Sequence, residues 1–392
     1  MRAILCLNNH LRVFMKEHGT RHLLVDLFAG CGGLSTGMEN AGFTPWFVNE
    51  IVPQYCDTYR ANHQLPEGHC YVGDINELNN HIQDYKGLLQ GIDLVCGGPP
   101  CQGFSTANRQ RIIDDPRNSL YRAYLQFLQY VRPKFFVMEN VVGMAKKLPE
   151  IKEDFSKYLG DEYVFDAKVL EAQNYGVPQN RRRLIFIGNR MGVKPQAIFD
   201  EIDKQKRSPF VLRDALEGLP KLNVKKQKGK SGVENYESGL TVRDFTYTIN
   251  DFYRFINGEK VIDKLYNHKN RYNNPRDLEI FRRLPQGGDS THESIADIMP
   301  YTRRNSIFKD KYYKLEEGKI CNTITSHMKY DCNMYIHPWE ARGLSPREAA
   351  RIQTFPDDYV FQGAQNSWYA QIGNAVPVKL AEVIGNAIMK FL

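Results

Sequence analysis

Much that would narrow the choice of function is missing from this 392-residue chain. Its eight cysteines (Cys6, Cys31, Cys56, Cys70, Cys96, Cys101, Cys321, Cys332) form no C-x-x-C pair and no Cys/His cluster at zinc spacing. A structural zinc site is therefore not expected, and no metal is assigned. Several of these cysteines sit inside apolar runs, as reduced core cysteines do, which points to a reducing compartment. No stretch approaches the roughly 20 apolar residues of a membrane span. The apolar run in the opening MRAILCLNNH is too short for a secretory signal, so the expectation is a soluble cytoplasmic protein. A strong charge imbalance is also lacking: 52 Lys+Arg face 45 Asp+Glu, for a net charge of +7. That mild excess suits a nucleic-acid partner without identifying one, and most of it falls between Met191 and Glu340.

What is present is enough apolar sequence, 42% of residues, to build two cores, arranged in a recognisable alternation. Strand-like runs at His22–Leu27, Pro45–Val48, Ile92–Cys96, Phe135–Met138, Phe165–Leu170 and Leu184–Ile187 are separated by helical patterns. The helices are expected at Ser35–Ala41, Pro53–His63, Ser119–Val131 and Ile151–Leu159. Short apolar strands alternating with helices predict an α/β fold, a doubly wound and mostly parallel sheet covered on both faces. After about Arg190 the alternation stops. Lys221–Gly232 (KLNVKKQKGKSG) reads as a loop, and the next hundred residues are rich in Tyr, Asn, Arg and Asp. Helical patterning resumes at Ser345 in SPREAARIQTF and again over Val376–Leu392. The expected organisation is one domain of residues 1–190 and 341–392, with a smaller irregular domain, 191–340, inserted. For residues 1–20, a helix packed on the first domain and a partner contact both stay open.

Two loops carry the chemistry. DLFAGCGGLSTG places Gly30, Gly32, Gly33 and Gly37 between a strand and a helix, where missing Cβ atoms let backbone turn tightly and approach a ligand. Glu50 ends the next strand, where a carboxylate accepts both hydroxyls of a ribose. Asp26, just before the glycines, repels a diphosphate and suits a cationic amino group, and Ser35 stands where a dinucleotide fingerprint wants glycine. A structural turn, a nicotinamide or flavin site and an S-adenosylmethionine site all remain open from this loop alone. Asp74, in VGDI, is placed to accept from an adenine amino group, or else is a solvated loop carboxylate. The second loop, GGPPCQGFS (Gly97–Ser105), follows the strand IDLVC and leaves the same sheet edge. Two prolines stiffen the approach to Cys101, an exposed cysteine on rigid backbone and hence a candidate nucleophile. Cys96, inside the strand, reads as core.

Taken in order, DLFAGCGGLSTG, GGPPCQGFS, MENV (Met138–Val141), PQNRRRLIFIG (Pro178–Gly188) and GNAVP (Gly373–Pro377) resemble the motif set of the DNA cytosine-5 methyltransferases, in their bacterial or phage form. The resemblance implies S-adenosylmethionine as methyl donor, with S-adenosylhomocysteine as product, and duplex DNA as substrate. It implies Cys101 as the nucleophile, Glu139 holding the cytosine amino edge and N3, and Arg181 and Arg183 as the outer pair of Q-x-R-x-R. Alternate residues of a strand share a face, so both guanidinium groups are expected in the site, with Arg182 pointing away. Donor contacts are implied for Asp26, Phe28, Gly30, Gly32, Gly33, Leu34, Glu50, Asp74, Ile75, Pro99, Asn374, Ala375 and Val376, with Phe28 stacking on the adenine. The target cytosine must leave the stack. A basic loop carrying Gln102, Ser105, Arg109 and Arg111 is expected to close on the duplex.

The resemblance places target recognition in the inserted region. Arg303 and Arg304 lead its candidate contacts, followed by Arg271, Arg276, Arg282, Arg283, Lys329 and the stretch Asn322–His327. A cognate restriction endonuclease, phage-defence components or neither are the partners this layout allows, around a monomer acting in the cytoplasm at the nucleoid. Three rivals stand beside it. A transfer-RNA cytosine-5 methyltransferase would carry a Cys-Phe-Thr motif that this chain lacks, and its insert would be shorter. A non-catalytic DNA-binding relative would have lost a motif residue. A nicotinamide-dependent oxidoreductase leaves PPCQ and the arginine pair unexplained.

Overall fold

The computed structural model describes residues 21–100, 120–225, 234–300 and 311–392. Residues 1–20, for which sequence leaves two readings open, lie outside that set.

The described chain packs as two compact units. The first comprises the described residues of 1–171, 182–206 and 380–392; the second comprises those of 172–181 and 207–379. Within the first, β1 (His22–Leu27), β2 (Phe43–Glu50), β3 (Cys70–Val72), β4 (Leu94–Gly97), β5 (Phe135–Val141), β6 (Val164–Glu171) and β7 (Arg182–Asn189) form one sheet. The order is β3-β2-β1-β4-β5-β7-β6. Neighbours from β3 through β5 run parallel, and β7 is antiparallel to both β5 and β6. This is the doubly wound, mostly parallel sheet that the apolar runs predict.

Helices α1 (Gly33–Asn40), α2 (Pro53–Asn62), α3 (Ile75–Asn80), α4 (Leu120–Val131), α5 (Leu148–Leu159) and α6 (Pro195–Asp203) belong to the same unit. Gly42 follows α1 with φ 104°, the left-handed turn expected after that helix. The core between sheet and helices is aromatic: Phe136, Phe155, Phe186 and Tyr163 are buried, and Phe155 stacks on Phe186 at 5.3 Å. Removing such a ring typically costs about 3–5 kcal/mol.

The strand order reverses between β1 and β4, the neighbours from which the chain winds outward in two directions. At such a switch point the loops leaving the carboxyl ends diverge and open a crevice. Both sequence loops singled out above start there, the glycine loop after β1 and Gly97–Pro100 after β4.

The second unit is less regular. It contains α7 (Leu212–Leu216), a two-stranded antiparallel sheet of β8 (Gly239–Asp244) and β9 (Lys264–Lys269), α8 (Asp251–Asn257), α9 (Pro275–Arg283), α10 (Pro346–Ile352) and α11 (Gln365–Asn374). Residues 341–379 pack here, whereas their sequence pattern groups them with residues 1–190. Side chains of that stretch satisfy backbone carbonyls elsewhere in this unit: Arg347 Nε donates to Tyr266 O, Arg351 Nη1 to Ala215 O and Gln365 Nε2 to Lys269 O. Ser345 opens α10 with a reciprocal cap, accepting from Glu348 N while Glu348 accepts from Ser345 N.

Candidate active site

In the first unit the glycine loop is built around Glu50. Gly30 N–H donates to its Oε2 at 2.8 Å and Val52 N–H to its Oε1 at 2.9 Å, so the carboxylate ties the turn after β1 to the start of α2. Glu50 is 7% exposed, and burial pushes its carboxyl above the usual range. Gly30 (φ 57°) and Gly32 (φ 88°) both take left-handed backbone, and Gly32 is the residue from which α1 starts. Phe28 also has positive φ, 56°, a costly conformation for an aromatic residue, and its half-buried ring packs against the core. Asp74 caps α3, accepting from Asn76 N and Nδ2 on Oδ1 alone. Ile75 is buried in the core cluster. Gly33 and Leu34 are buried in the first turn of α1.

Asp26 behaves differently from the expectation of an amino-group acceptor. It is 1% exposed and accepts from Ser35 Oγ at 2.6 Å, and Ser35 Oγ in turn accepts from Tyr59 OH at 2.8 Å. Burial raises its carboxyl to about 7, against hydrogen bonds from Ser35 and Cys96 that pull it down. Asp26 thus braces the glycine loop from below. Cys96 is fully buried, as its place in the strand implies.

After β4 the chain enters the second loop through two glycines. A Cβ on Gly97 would lie 2.6 Å from Leu27 O, and one on Gly98 would lie 3.1 Å from Glu139 Oε2, so both permit close approach of neighbouring strands. Pro99 is buried, and its carbonyl accepts from Asn140 Nδ2 at 3.0 Å. Sequence reasoning misses Asn140, because nothing in ENV separates an amide that pins a loop from one facing solvent. Cys101 follows two residues later, outside the described residues, with Gln102, Ser105, Arg109 and Arg111.

Glu139 and Arg183 meet across β5 and β7. Val141 pairs with Arg183 and Glu139 with Ile185, so the two side chains are diagonal neighbours on one face. Arg183 Nε lies 2.5 Å from Glu139 Oε1, with side chains only 14% and 13% exposed. Arg182 points elsewhere and pairs with Glu171.

Arg181 does not repeat this arrangement. It precedes β7, belongs to the second unit and is 2% exposed. Its Nη1 donates to Ile324 O at 2.7 Å and its Nη2 to Ala375 O at 2.8 Å, with Gly373 O within 3.4 Å of both. β7 begins at Arg182, so the alternation of strand residues on which the expectation for Arg181 rests does not extend to it. Gln179, also missed from sequence, bonds to Gln353 Oε1 and to Ile324 N in the same knot. Gly373 is required there: a Cβ would fall 2.2 Å from the Thr325 carbonyl carbon. Asn374 is exposed at the end of α11, Ala375 is half-buried and Val376 is buried.

Of the candidate DNA contacts, Arg303 and Arg304 lie outside the described residues. Arg271 is committed internally, donating to Met328 O and Asn366 Oδ1 and lying 4.7 Å from the Tyr369 ring. Arg282 and Arg283 are in exposed ion pairs with Glu279, and Arg283 also with Asp297. Among the described residues no group of His, Cys, Asp and Glu is placed to hold a metal ion, and no helix is long and apolar enough to cross a membrane.

Residues 23–390 match the C-5 cytosine-specific DNA methylase family. The chain is 34% identical over 378 residues to the type II methyltransferase M1.HphI of Haemophilus parahaemolyticus, covering 93% of this chain and 86% of that protein. It is 32% identical to M.DdeI of Desulfomicrobium norvegicum, with 93% and 88% covered. A DNA modification methyltransferase encoded within an Escherichia coli prophage shares the fold, with a TM-score of 0.71, 26% identity, and 94% of this chain and 99% of that one covered. With that match spanning both loops, the Glu139–Arg183 pair and the GNAVP turn, the chain belongs to the C-5 cytosine-specific DNA methylase family.

Proposed function

We propose that this DNA cytosine-5 methyltransferase takes its methyl group from S-adenosylmethionine and works through a transient bond between Cys101 and carbon 6 of an extruded cytosine. The observation that carries the reading is the Glu139–Arg183 ion pair, held at 2.5 Å beside Gly98 on the loop that leads to Cys101.

Carbon 5 of cytosine is too weak a nucleophile to accept a methyl group unaided. Addition of the Cys101 thiolate to carbon 6 makes the ring an enamine, and carbon 5 then carries the reacting electron pair. Glu139 accepts from the amino group of the base and, bearing a proton on its carboxyl, gives that proton to N3 as the thiolate adds and recovers it when the sulfur departs, while Arg183 keeps the carboxyl group aimed and its charge favours the thiolate and polarises the base carbonyl. After transfer, the carbon 5 proton leaves to solvent water and the Cys101 sulfur departs from carbon 6. Arg181 is assigned a positioning role through its carbonyl partners.

The chemistry of the glycine loop fits the donor. Glu50 suits a ribose diol, Asp74 retains Oδ2 for an adenine amino group, and Phe28 offers a ring for stacking. Two carboxylates with no lysine or arginine in the loop disfavour a diphosphate. The bound donor supplies an electrophilic methyl on a sulfonium. Asn374, Ala375 and Val376 complete the proposed donor contacts by resemblance.

Duplex DNA is the substrate in this reading. Gln102, Ser105, Arg109 and Arg111 close on it, and Arg303 and Arg304 contact it from the recognition region. The type II names of the relatives favour a restriction–modification setting in the cytoplasm, with a cognate endonuclease as functional partner and the methyltransferase acting as a monomer. The test is covalent trapping. Duplex DNA carrying 5-fluorocytosine, with the donor, should leave an adduct that mass spectrometry places on Cys101, because fluorine cannot leave as a proton does. An adduct on another residue, or none with turnover intact on normal DNA, overturns the proposal.

A further inference from the structure

One buried amide joins the glycine loop to the loop that carries Asp74. Asn49 is the last residue but one of β2, directly before Glu50, and is 2% exposed. Its backbone carbonyl accepts from Ala29 N–H at 3.1 Å, which fastens the glycine loop where it leaves β1. Its side chain serves the other loop: Nδ2 donates to Gly73 O at 2.9 Å and to Tyr71 O at 3.3 Å. Gly73 N–H donates in turn to Glu50 O at 3.1 Å, so the backbone running from β3 into Asp74 is tied to the end of β2. A buried amide is costly unless its hydrogens are used, and both are spent here on carbonyls just ahead of Asp74.

Asp74 is held from its other side by Asn76. The backbone N–H and Nδ2 of Asn76 both donate to Asp74 Oδ1, at 2.8 and 2.9 Å, where α3 begins. The carboxylate therefore has one oxygen engaged and a clamped backbone behind it.

We propose that Asn49 and Asn76 are positioning residues that make the donor site selective for a 6-aminopurine. Asn49 sets the path of the chain into Asp74, Asn76 occupies Oδ1, and Oδ2 is left to accept from the exocyclic amino group of the base. A 6-oxopurine presents an oxygen in place of that amino group. Acceptor then meets acceptor, and a carboxylate that cannot swing aside rejects the base. Loosening either asparagine lets the carboxylate move off and water take its place, so the unwanted base is tolerated better and the amino base held less well.

Selectivity rests on the reading of Asp74 as acceptor of the adenine amino group, and the experiment separates the two. Calorimetry on full-length protein, without DNA, compares S-adenosylhomocysteine with S-inosylhomocysteine, in which an oxygen replaces the amino group. Wild type should favour the amino compound by about 100-fold. Asn49→Ala should lower that ratio about tenfold, and Asn76→Ala about threefold, as loss of supporting hydrogen bonds does. A merely structural amide would weaken both compounds alike, so an unchanged ratio in both variants overturns the positioning role. Asn76 is exposed, and if Asn49→Ala fails to fold, the ratio in Asn76→Ala decides alone. Asp74→Ala tests the underlying reading and should abolish the preference. If it does not, or if wild type fails to discriminate, Asp74 is not the acceptor and the selectivity falls with it. If Asp74→Ala abolishes the preference while the asparagine variants keep it, the acceptor stands and the positioning role is rejected. Wild-type protein that binds neither compound rejects the donor site as a whole.

Discussion

At the residue scale, the two outer arginines of one short motif are separated by their partners. Arg183 faces a carboxylate, and Arg181 faces three carbonyl oxygens. Arg183→Ala should therefore lower kcat by about 10²–10³-fold with little change in Tm, as loss of an electrostatic stabiliser does. Arg181→Ala should instead cost roughly 3 kcal/mol of stability, because buried carbonyls lose charged donors. Paired thermal melts and single-turnover rates separate the two; a stable, slow Arg181→Ala enzyme contradicts the positioning role. Asp26 supplies a pH signature. Its carboxyl is raised from 3.8 to about 7 by burial, so the folded state favours the neutral form. The associated stability is complete below pH 3.8 and is lost as the pH rises through 7, up to about 4 kcal/mol in all. Relative to wild type, Asp26→Asn should gain Tm steadily between about pH 4 and pH 7 and level off above that, and a pH-independent difference would remove Asp26 from this account.

At the element scale, α10 and α11 depend on how closely backbone can pass backbone. Gly373→Ala sets a methyl group 2.2 Å from the Thr325 carbonyl carbon, and neither segment can yield as a flexible side chain does. The variant should lose methyl transfer and melt well below wild type; a normal Tm would show that the two segments do separate. The cap of α10 adds an ionic element. Glu348 is fully buried, and although desolvation opposes ionisation, the Arg342 guanidinium holds its carboxyl well below the usual range. A depressed folded value contributes stability that is present above the ordinary glutamate range and is lost as the pH falls toward the folded one. Glu348→Gln should thus be destabilised by about 3–5 kcal/mol near neutral pH, leaving Arg342 buried without its main charge partner, and the gap to wild type should narrow in acid melts. These elements were partly legible in advance. SPREAARIQTF announces a capped helix by its serine and glutamate spacing, a local signal, whereas the unit that helix packs in is settled by contacts distant in sequence.

At the scale of the whole molecule, residues 191–340 read in sequence as an inserted domain, yet within them Ile324 and Arg271 support Gln179, Arg181 and Tyr369 of the second unit. Deleting them should unfold that unit, so recognition is better tested by exchange. Replacing Arg207–Lys379 as a block with the equivalent of a relative of different specificity should transfer that relative's methylated sequence. Bisulfite sequencing of DNA from expressing cells reads the outcome. Methylation at the original sequence after exchange would place recognition outside the block.

The amino-acid sequence alone determined the sheet, the glycine turn and the motif order, because each is written in short windows: apolar runs of strand length, glycines where backbone must turn, a proline-stiffened cysteine. It also placed Glu139 just after one candidate strand and Arg183 just before another. Their meeting was decided by the antiparallel register of β5 and β7, which no window of either strand contains. The same holds for Asp26, whose burial under Ser35 and Tyr59 joins β1, α1 and α2. Side-chain chemistry is local, but dielectric, register and partner are properties of packing, and those three set what each side chain does.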